Sequence, residues 1–368
     1  LGDLYFKKAN YKDAIKYYAL TESESLSPEE KDDLAFNYAF SYFALKNFRE
    51  AYSKFAPLTN QPTAKNYNYA VYYSGLSAYY LEKYDDALKQ FYKLENSTKY
   101  KNVVPYYIAS ILSLKKQYPE MIAYLEPKIE SNKNLRYGNE IKKLLGNAYF
   151  EKKDYVLAEK YLSESIPSLT KVNQEDYYQL GYVYYKNGQY KKAIEQLKKL
   201  TTLDNEMVQS AMYVLGQCYT QTGDKASAKA AFQQAARMKY SAQITEESSF
   251  NIAKITYDQG NYTEALLLLK NFIQSYPNST FNTDAQNLLA DVFFKTRSYE
   301  EAIGLIENMK NPNASIKASY QKMSYYRAME YYSNNQLDQS DQYLDKALRF
   351  TPETSIEALT YYWKADIL

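Results

Sequence analysis

The chain has 368 residues, of which 45 are tyrosine, ten glycine, ten proline, one cysteine and none histidine. Basic and acidic residues nearly cancel, 45 against 43, which argues against a polyanion as the dominant partner. Scarce glycine and proline disfavour turn-rich sandwiches and barrels, the missing histidines remove Ser-His and Cys-His nucleophile systems and most zinc ligation, and the single Cys218 cannot form an intramolecular disulfide.

From the first residues onward one unit recurs. A small residue stands at Gly2, Ala39, Gly75, Ala109, Gly146, Gly181, Gly216, Ala253, Ala290, Ala328 and Ala365, at gaps of 34 to 38 residues. Twelve residues after each of the first ten anchors comes a second small site: Ala14, Ala51, Ala87, Met121, Ala158, Ala193, Ala228, Ala265, Ala302 and Ser340. Four further on the residue is apolar throughout: Tyr18, Phe55, Phe91, Leu125, Leu162, Leu197, Phe232, Leu269, Ile306 and Leu344. Eight after the anchor it is always polar, from Asn10 and Asn47 to Ser298 and Gln336, and Gly188, Gly223 and Gly260 precede it in three units. That position reads as a helix–helix turn. Within each unit apolar residues recur at i, i+3, i+4 and i+7, so each is a helical hairpin that buries its face only by stacking on neighbours. The aromatic three after most anchors (Tyr5, Tyr42, Tyr149, Tyr184, Tyr219, Phe293, Tyr331) is expected to fill the gap between neighbours.

Leu145-Gly146-x-x-Tyr149 with Tyr155-x-x-Ala158, Leu180-Gly181-x-x-Tyr184 with Gly188-x-Tyr190-x-x-Ala193, and Leu215-Gly216-x-x-Tyr219 with Gly223-Asp224 resemble the signature of the tetratricopeptide repeat (TPR) family. The resemblance implies an all-α fold, a right-handed superhelix (α-solenoid) of about ten helix-turn-helix repeats in one continuous array. The repeats are expected near 1–25, 32–60, 68–97, 102–131, 139–167, 174–203, 209–238, 246–276, 283–310 and 321–351, with a partial eleventh over 358–368. The units around Ala109 and Ala328 are degenerate, carrying Met121 and Ser340 at the alanine site, and the long period implies loops between repeats longer than the family's. Leu1 and Leu368 both fall inside expected helices with no polar capping helix beyond them, so the chain is expected to be a segment of a longer protein.

In TPR proteins ligands contact the first helix of each hairpin, on the concave face. The corresponding positions here include Phe36, Phe40 and Phe43; Tyr69, Tyr72 and Tyr79; Tyr106; Tyr178, Tyr182 and Tyr185; Tyr213; Phe250 and Tyr257; Tyr325 and Tyr332. Tyrosine offers contact area at low entropy cost and a hydroxyl for backbone groups, although for any single ring space-filling between first helices is the favoured reading. Lys143 and Asn147 stand where chaperone-binding TPR proteins begin their carboxylate clamp, but Gln179, Ser210 and Val214 leave that clamp incomplete. Cys218 reads as a buried structural thiol, and the pairs Asp32-Asp33 and Asp85-Asp86 read as acidic residues near helix starts.

Phe272-Ile-Gln-Ser-Tyr276-Pro277-Asn278-Ser279 resembles a linker of bacterial cell-envelope TPR proteins of the Tol-Pal coordinator and outer-membrane assembly lipoprotein type, and Val103-Val104-Pro105-Tyr106-Tyr107-Ile108-Ala109 resembles a segment of very long envelope TPR proteins. The expected function is a non-enzymatic scaffold for a protein or peptide partner, with no cofactor, no metal, no nucleic acid and no membrane span in this segment. A lipid anchor outside the segment and self-association remain open. The expected setting is periplasmic, at the outer membrane. The alternatives are a cytoplasmic adaptor or co-chaperone-like module and a self-assembling array, while a helical-toroid glycosidase lacks this small-residue lattice.

Overall fold

A computed structural model describes residues 1–22, 24, 26–200 and 204–367; residues 23, 25, 201–203 and 368, at the edges of the first, sixth and eleventh expected repeats, lie outside the described residues. Among the described residues there are 21 α-helices and no strands. The chain forms two compact units, Leu1–Gln179 and Leu180–Leu368. The first contains α1 (Gly2–Lys7), α2 (Tyr11–Ala19), α3 (Pro28–Ala44), α4 (Phe48–Phe55), α5 (Tyr67–Tyr80), α6 (Tyr84–Tyr92), α7 (Val104–Leu114), α8 (Tyr118–Ser131), α9 (Gly138–Glu151) and α10 (Tyr155–Ser165). The division falls within α11 (Gln174–Lys186). The second unit continues with α12 (Tyr190–Leu197), α13 (Glu206–Thr222), α14 (Lys225–Met238), α15 (Ala242–Asp258), α16 (Tyr262–Ser275), α17 (Asn282–Thr296), α18 (Tyr299–Glu307), α19 (Ala314–Ser333), α20 (Leu337–Ala347) and α21 (Thr354–Ile367).

The hairpins close through the small anchors. A Cβ built on Gly75 would lie 2.8 Å from the Phe91 ring, on Gly146 2.7 Å from the Leu162 side chain, and on Gly216 2.6 Å from the Phe232 ring. The large side chain sixteen residues after each of these anchors therefore sits against the anchor's bare backbone, and Phe91, Leu162 and Phe232 are wholly buried there. The degenerate units obey the same lattice. Met121 is fully buried at its small site, and Ser340 hides its polarity by donating its hydroxyl to the Ala328 carbonyl at 2.9 Å. In three units the aromatic three after the anchor packs on a ring of its own hairpin, stacked in Tyr5–Tyr17 (5.2 Å) and Tyr149–Tyr161 (5.9 Å) and tilted in Tyr331–Tyr343 (5.3 Å). Tyr149 also reaches back to hydrogen-bond Glu126 of the preceding hairpin, so it serves both contacts.

Each turn uses one geometry. The residue seven after the anchor is left-handed in all ten hairpins: Ala9, Lys46, Glu82, Lys116, Lys153, Gly188, Gly223, Gly260, Arg297 and Asn335. Its N–H and that of the next residue return to the carbonyls of the closing turn, as in Lys46→Phe43 and Asn47→Tyr42, both at 2.9 Å. The polar residue eight after the anchor then stands at the N-cap position of the second helix. Asn10, Asn47, Asp154 and Asp224 accept from the backbone three residues on. The connections between hairpins absorb the long period partly as 3₁₀ turns, Ala56–Asn60 and Ile166–Ser168 in the first unit and Lys198–Leu200 in the second.

Within each unit, successive first helices also touch one another, α3 with α1 and α5, α13 with α15, and α17 with α15 and α19. Polar side chains lock these steps. Gln209, wholly buried in α13, accepts from the Ser241 N–H at 2.6 Å and donates to the Ala235 carbonyl at 3.0 Å. Gln321 of α19 brackets Glu353 in the same way, at 3.0 and 3.1 Å, and Gln286 of α17 accepts from the Asn313 N–H at 2.8 Å. Asp32 plays this part in α3, accepting from the Asn66 N–H at 2.9 Å, while Asp33 accepts from Asn66 Nδ2 at 2.7 Å. The Asp32-Asp33 pair thus serves the start of the following hairpin rather than its own helix, because α3 already begins with a Ser27–Glu30 capping box. Asp85 and Asp86 do lie in the first turn of α6.

Candidate functional site

First-helix positions in the first unit, joined by Tyr100 and Tyr137 from the connections before α7 and α9, carry a continuous chain of rings. Phe6 contacts Phe40 (5.8 Å between centroids), Phe40 contacts Phe36 (6.0 Å), and Phe36 contacts Tyr69 (5.8 Å). Tyr69 meets Tyr100 (6.2 Å), which stacks on Tyr72 (4.4 Å). Tyr72 meets Tyr107 (6.1 Å), Tyr107 meets Tyr106 (5.3 Å), and Tyr106 meets Tyr137 (4.8 Å). Edge-to-face and offset geometries dominate, as the ring quadrupoles favour. Phe43 and Tyr79 join through Tyr73 and Tyr107 respectively.

These rings do two jobs to different degrees. Tyr72 is mainly structural: it is stacked, its hydroxyl donates to Tyr107 at 3.4 Å, and burial raises its pKa. Phe36, Phe40, Tyr79 and Tyr106 are half-buried. Tyr69 is 36% exposed, with the Lys99 ammonium 3.6 Å from its ring centroid, so this ring presents both an aromatic surface and a cation.

Lys143 and Asn147 do lie on one face of α9, but the clamp suggested there is filled from within. Lys143 forms an ion pair with Asp176, whose side chain is almost wholly buried and also brackets the start of α11 through Asn173 at 2.9 Å. A ligand carboxylate would have to displace it. Asn147 Oδ1 and Gln179 Oε1 are buried and accept no hydrogen bond among the described residues. Tyr178 lies half-buried on α11.

In the second unit Tyr182 and Tyr185 are half-buried neighbours 6.1 Å apart. Burial raises the pKa of Tyr185. Tyr213 packs on Phe232 at 5.8 Å and donates to Glu247 of the next first helix, and burial followed by that carboxylate raises its pKa. Tyr257 repeats the pattern with Asp291 at 2.6 Å, and this bond leads in pushing its hydroxyl up to about 12. Tyr332 donates to Asp366 at 2.5 Å, and Tyr325 accepts from the Trp363 indole at 3.1 Å. Phe250 is buried, stacked on Phe281 at 4.8 Å. The tyrosine stripe of this unit therefore works largely as ties between first helices. A tyrosine followed by a carboxylate 34 residues on is the sequence signal for it.

Cys218 is buried, and burial alone pushes its thiol up to about 12, which suits a packing role. Among the described residues no group of three or more His, Cys, Asp or Glu side chains could hold a metal ion, and no helix is long and apolar enough to cross a membrane.

Stacked helical hairpins with this anchor lattice are the tetratricopeptide-repeat α-solenoid fold. Residues 250–310 match the family model for the tetratricopeptide repeat, and residues 151–235 match that for anaphase-promoting complex, cyclosome, subunit 3. No curated protein matches the chain. Among solved structures, the C-terminal part of a TPR repeat-containing protein from Cytophaga hutchinsonii is 23% identical over 68% of this chain and 98% of its own, with a TM-score of 0.45. YrrB, a TPR protein with an unusual peptide-binding site, is 21% identical over 53% of this chain and 96% of its own, with a TM-score of 0.44. PilW, a widely conserved type IV pilus biogenesis factor, is 16% identical over 58% of this chain and 96% of its own, with a TM-score of 0.39. These are likenesses of fold.

Proposed function

We propose that the chain is a non-enzymatic protein–protein interaction scaffold whose first-helix face takes an extended peptide or a helix of a partner. The observation that carries this reading is the ring chain from Phe6 to Tyr137, which runs through four successive hairpins and leaves Tyr69 partly open to solvent. Rings already held by their neighbours lose little freedom when a ligand lies across them, so binding them costs little entropy. Affinity then depends on which edges are open, and the ammonium beside Tyr69 favours a ligand with acidic groups. The setting we propose is the bacterial cell envelope, in assembly or secretion of its proteins, and the Tyr276-Pro277-Asn278-Ser279 linker supports it.

The face is tested by placing a photo-reactive benzophenone side chain at Tyr69 or at Tyr92. The two are almost equally exposed, 36% and 37%, but Tyr92 lies on the second helix α6. Illumination in the native extract should link a defined partner through position 69 and not through 92. Equal capture at both, or capture through 92 alone, would refute the first-helix reading. Immunoblots of fractionated source cells test the setting: the chain should follow the envelope fraction rather than the cytosol.

A further inference from the structure

The second unit holds a cavity of about 300 Å³ at the edge where second helices end and the next hairpins begin. It is lined by Lys270, Ile273 and Gln274 of α16, by Asn282, Gln286 and Leu289 of α17, and by Leu305 with the segment after α18 that carries Met309 and Lys310. Pro277, from the linker singled out in the sequence, closes one side. Leu289 is buried, and Ile273, Leu305 and Met309 are partly buried, all four packed in one hydrophobic cluster. Gln286 is 7% exposed, and its amide is held by the Asn313 N–H (2.8 Å) and Asn282 Oδ1 (2.6 Å). The polar side of the cavity is therefore fixed in place rather than free to collapse inward.

Charge gives the cavity its preference. Lys270 and Lys310 both line it, no carboxylate does, and neither lysine has an ion-pair partner among the described residues. Some lysines elsewhere are paired across hairpins, as in Lys229–Glu264 (2.9 Å) and Lys346–Glu307 (3.1 Å). We infer that this cavity is a second docking site, for an acidic peptide segment that inserts a leucine-sized apolar side chain and sets flanking carboxylates against Lys270 and Lys310. The apolar floor supplies the anchor, and the two ammonium groups orient the segment. A free inorganic anion would leave the floor uncovered, and an apolar ligand would leave the lysines unused. This site is independent of the first-helix face and stands or falls separately.

The probes are the peptides acetyl-Glu-Glu-Leu-Glu-amide and acetyl-Gln-Gln-Leu-Gln-amide, titrated into protein labelled at methionine and isoleucine methyls and followed by NMR. The acidic peptide should shift the Met309 and Ile273 methyl signals and bind at least about tenfold more tightly than the neutral one, as one charge-assisted contact provides. The double variant Lys270→Gln/Lys310→Gln alters exposed or half-exposed side chains, so the fold is retained, and it should erase that difference between the peptides. Equal affinity of the two peptides, an unchanged preference in the double variant, or shifts confined to methyls outside the cavity would overturn the proposal.

Discussion

Replacing Gly216 by alanine tests the lattice at its tightest point. The added Cβ would stand 2.6, 2.7 and 2.8 Å from three atoms of the Phe232 ring, closer than real Cβ contacts, and Phe232 is wholly buried, so the ring has no solvent into which to swing. Overpacking of this kind costs about 1–3 kcal/mol. The gain in helix propensity returns about 1 kcal/mol, leaving a net loss of up to about 2 kcal/mol. Gly304, in the middle of α18, is the control, because a Cβ there meets nothing within 4 Å. Gly304→Ala should therefore stabilise by about 0.5–1 kcal/mol. The two variants make the same chemical change with opposite signs. Urea unfolding followed by far-UV circular dichroism reads both midpoints, and hydrogen exchange in α13 and α14 localises the Gly216 effect, which matters because repeat arrays need not unfold in one step. A Gly216→Ala midpoint at or above that of the wild type, or equal losses in both variants, would refute the close-approach argument.

The left-handed turn residues give a second expectation. Lys46→Gly, Lys116→Gly and Lys153→Gly should each raise the unfolding free energy by about 0.5–1 kcal/mol, and Gly223→Ala should lower it by about 1 kcal/mol, measured by the same urea midpoints. Gln209→Ala and Gln321→Ala should each cost about 1–3 kcal/mol, since each strands buried backbone groups of the following hairpin, with local loss of exchange protection at Ser241 or Glu353 as the readout. Alkaline pH should unfold the protein. Tyr320, wholly buried and bonded to Glu307 at 2.8 Å, is pushed up to about 12 by burial and then by that bond, while an unfolded tyrosine titrates near 10. The folded state thus holds the proton more tightly. Its contribution is complete below pH ~10 and is lost between pH ~10 and 12. Midpoints measured across that range should fall, and Tyr320→Phe should flatten the fall without changing the slope below pH 9.

The hairpins were legible because their determinants are local in sequence and nearly binary in character. A small anchor, a small site at twelve, a large residue at sixteen and a polar cap at eight can be read without knowing any neighbour. The turn at position seven was legible only at Gly188, Gly223 and Gly260, since Lys46, Glu82 and Arg297 take the same left-handed backbone at a cost of about 1–2 kcal/mol that the surrounding turn overrides. The locks were hidden for a different reason. Gln209, Gln321 and Asp32 look like surface residues until the backbone they bond, some 32–34 residues away, is brought beside them. The same distance concealed Asp176 as the partner of Lys143. The stripe of aromatic first-helix residues was visible, but composition could not separate Tyr72, spent on packing, from Tyr69, which retains an open edge.

The most direct test of the account is a hydrogen-exchange footprint of the purified complex with the partner captured through position 69. Bound partner should slow exchange along α3, α5 and α7 and leave α4, α6 and α8 as they are in the free protein. Protection centred on the second helices, with the first helices unchanged, would contradict it.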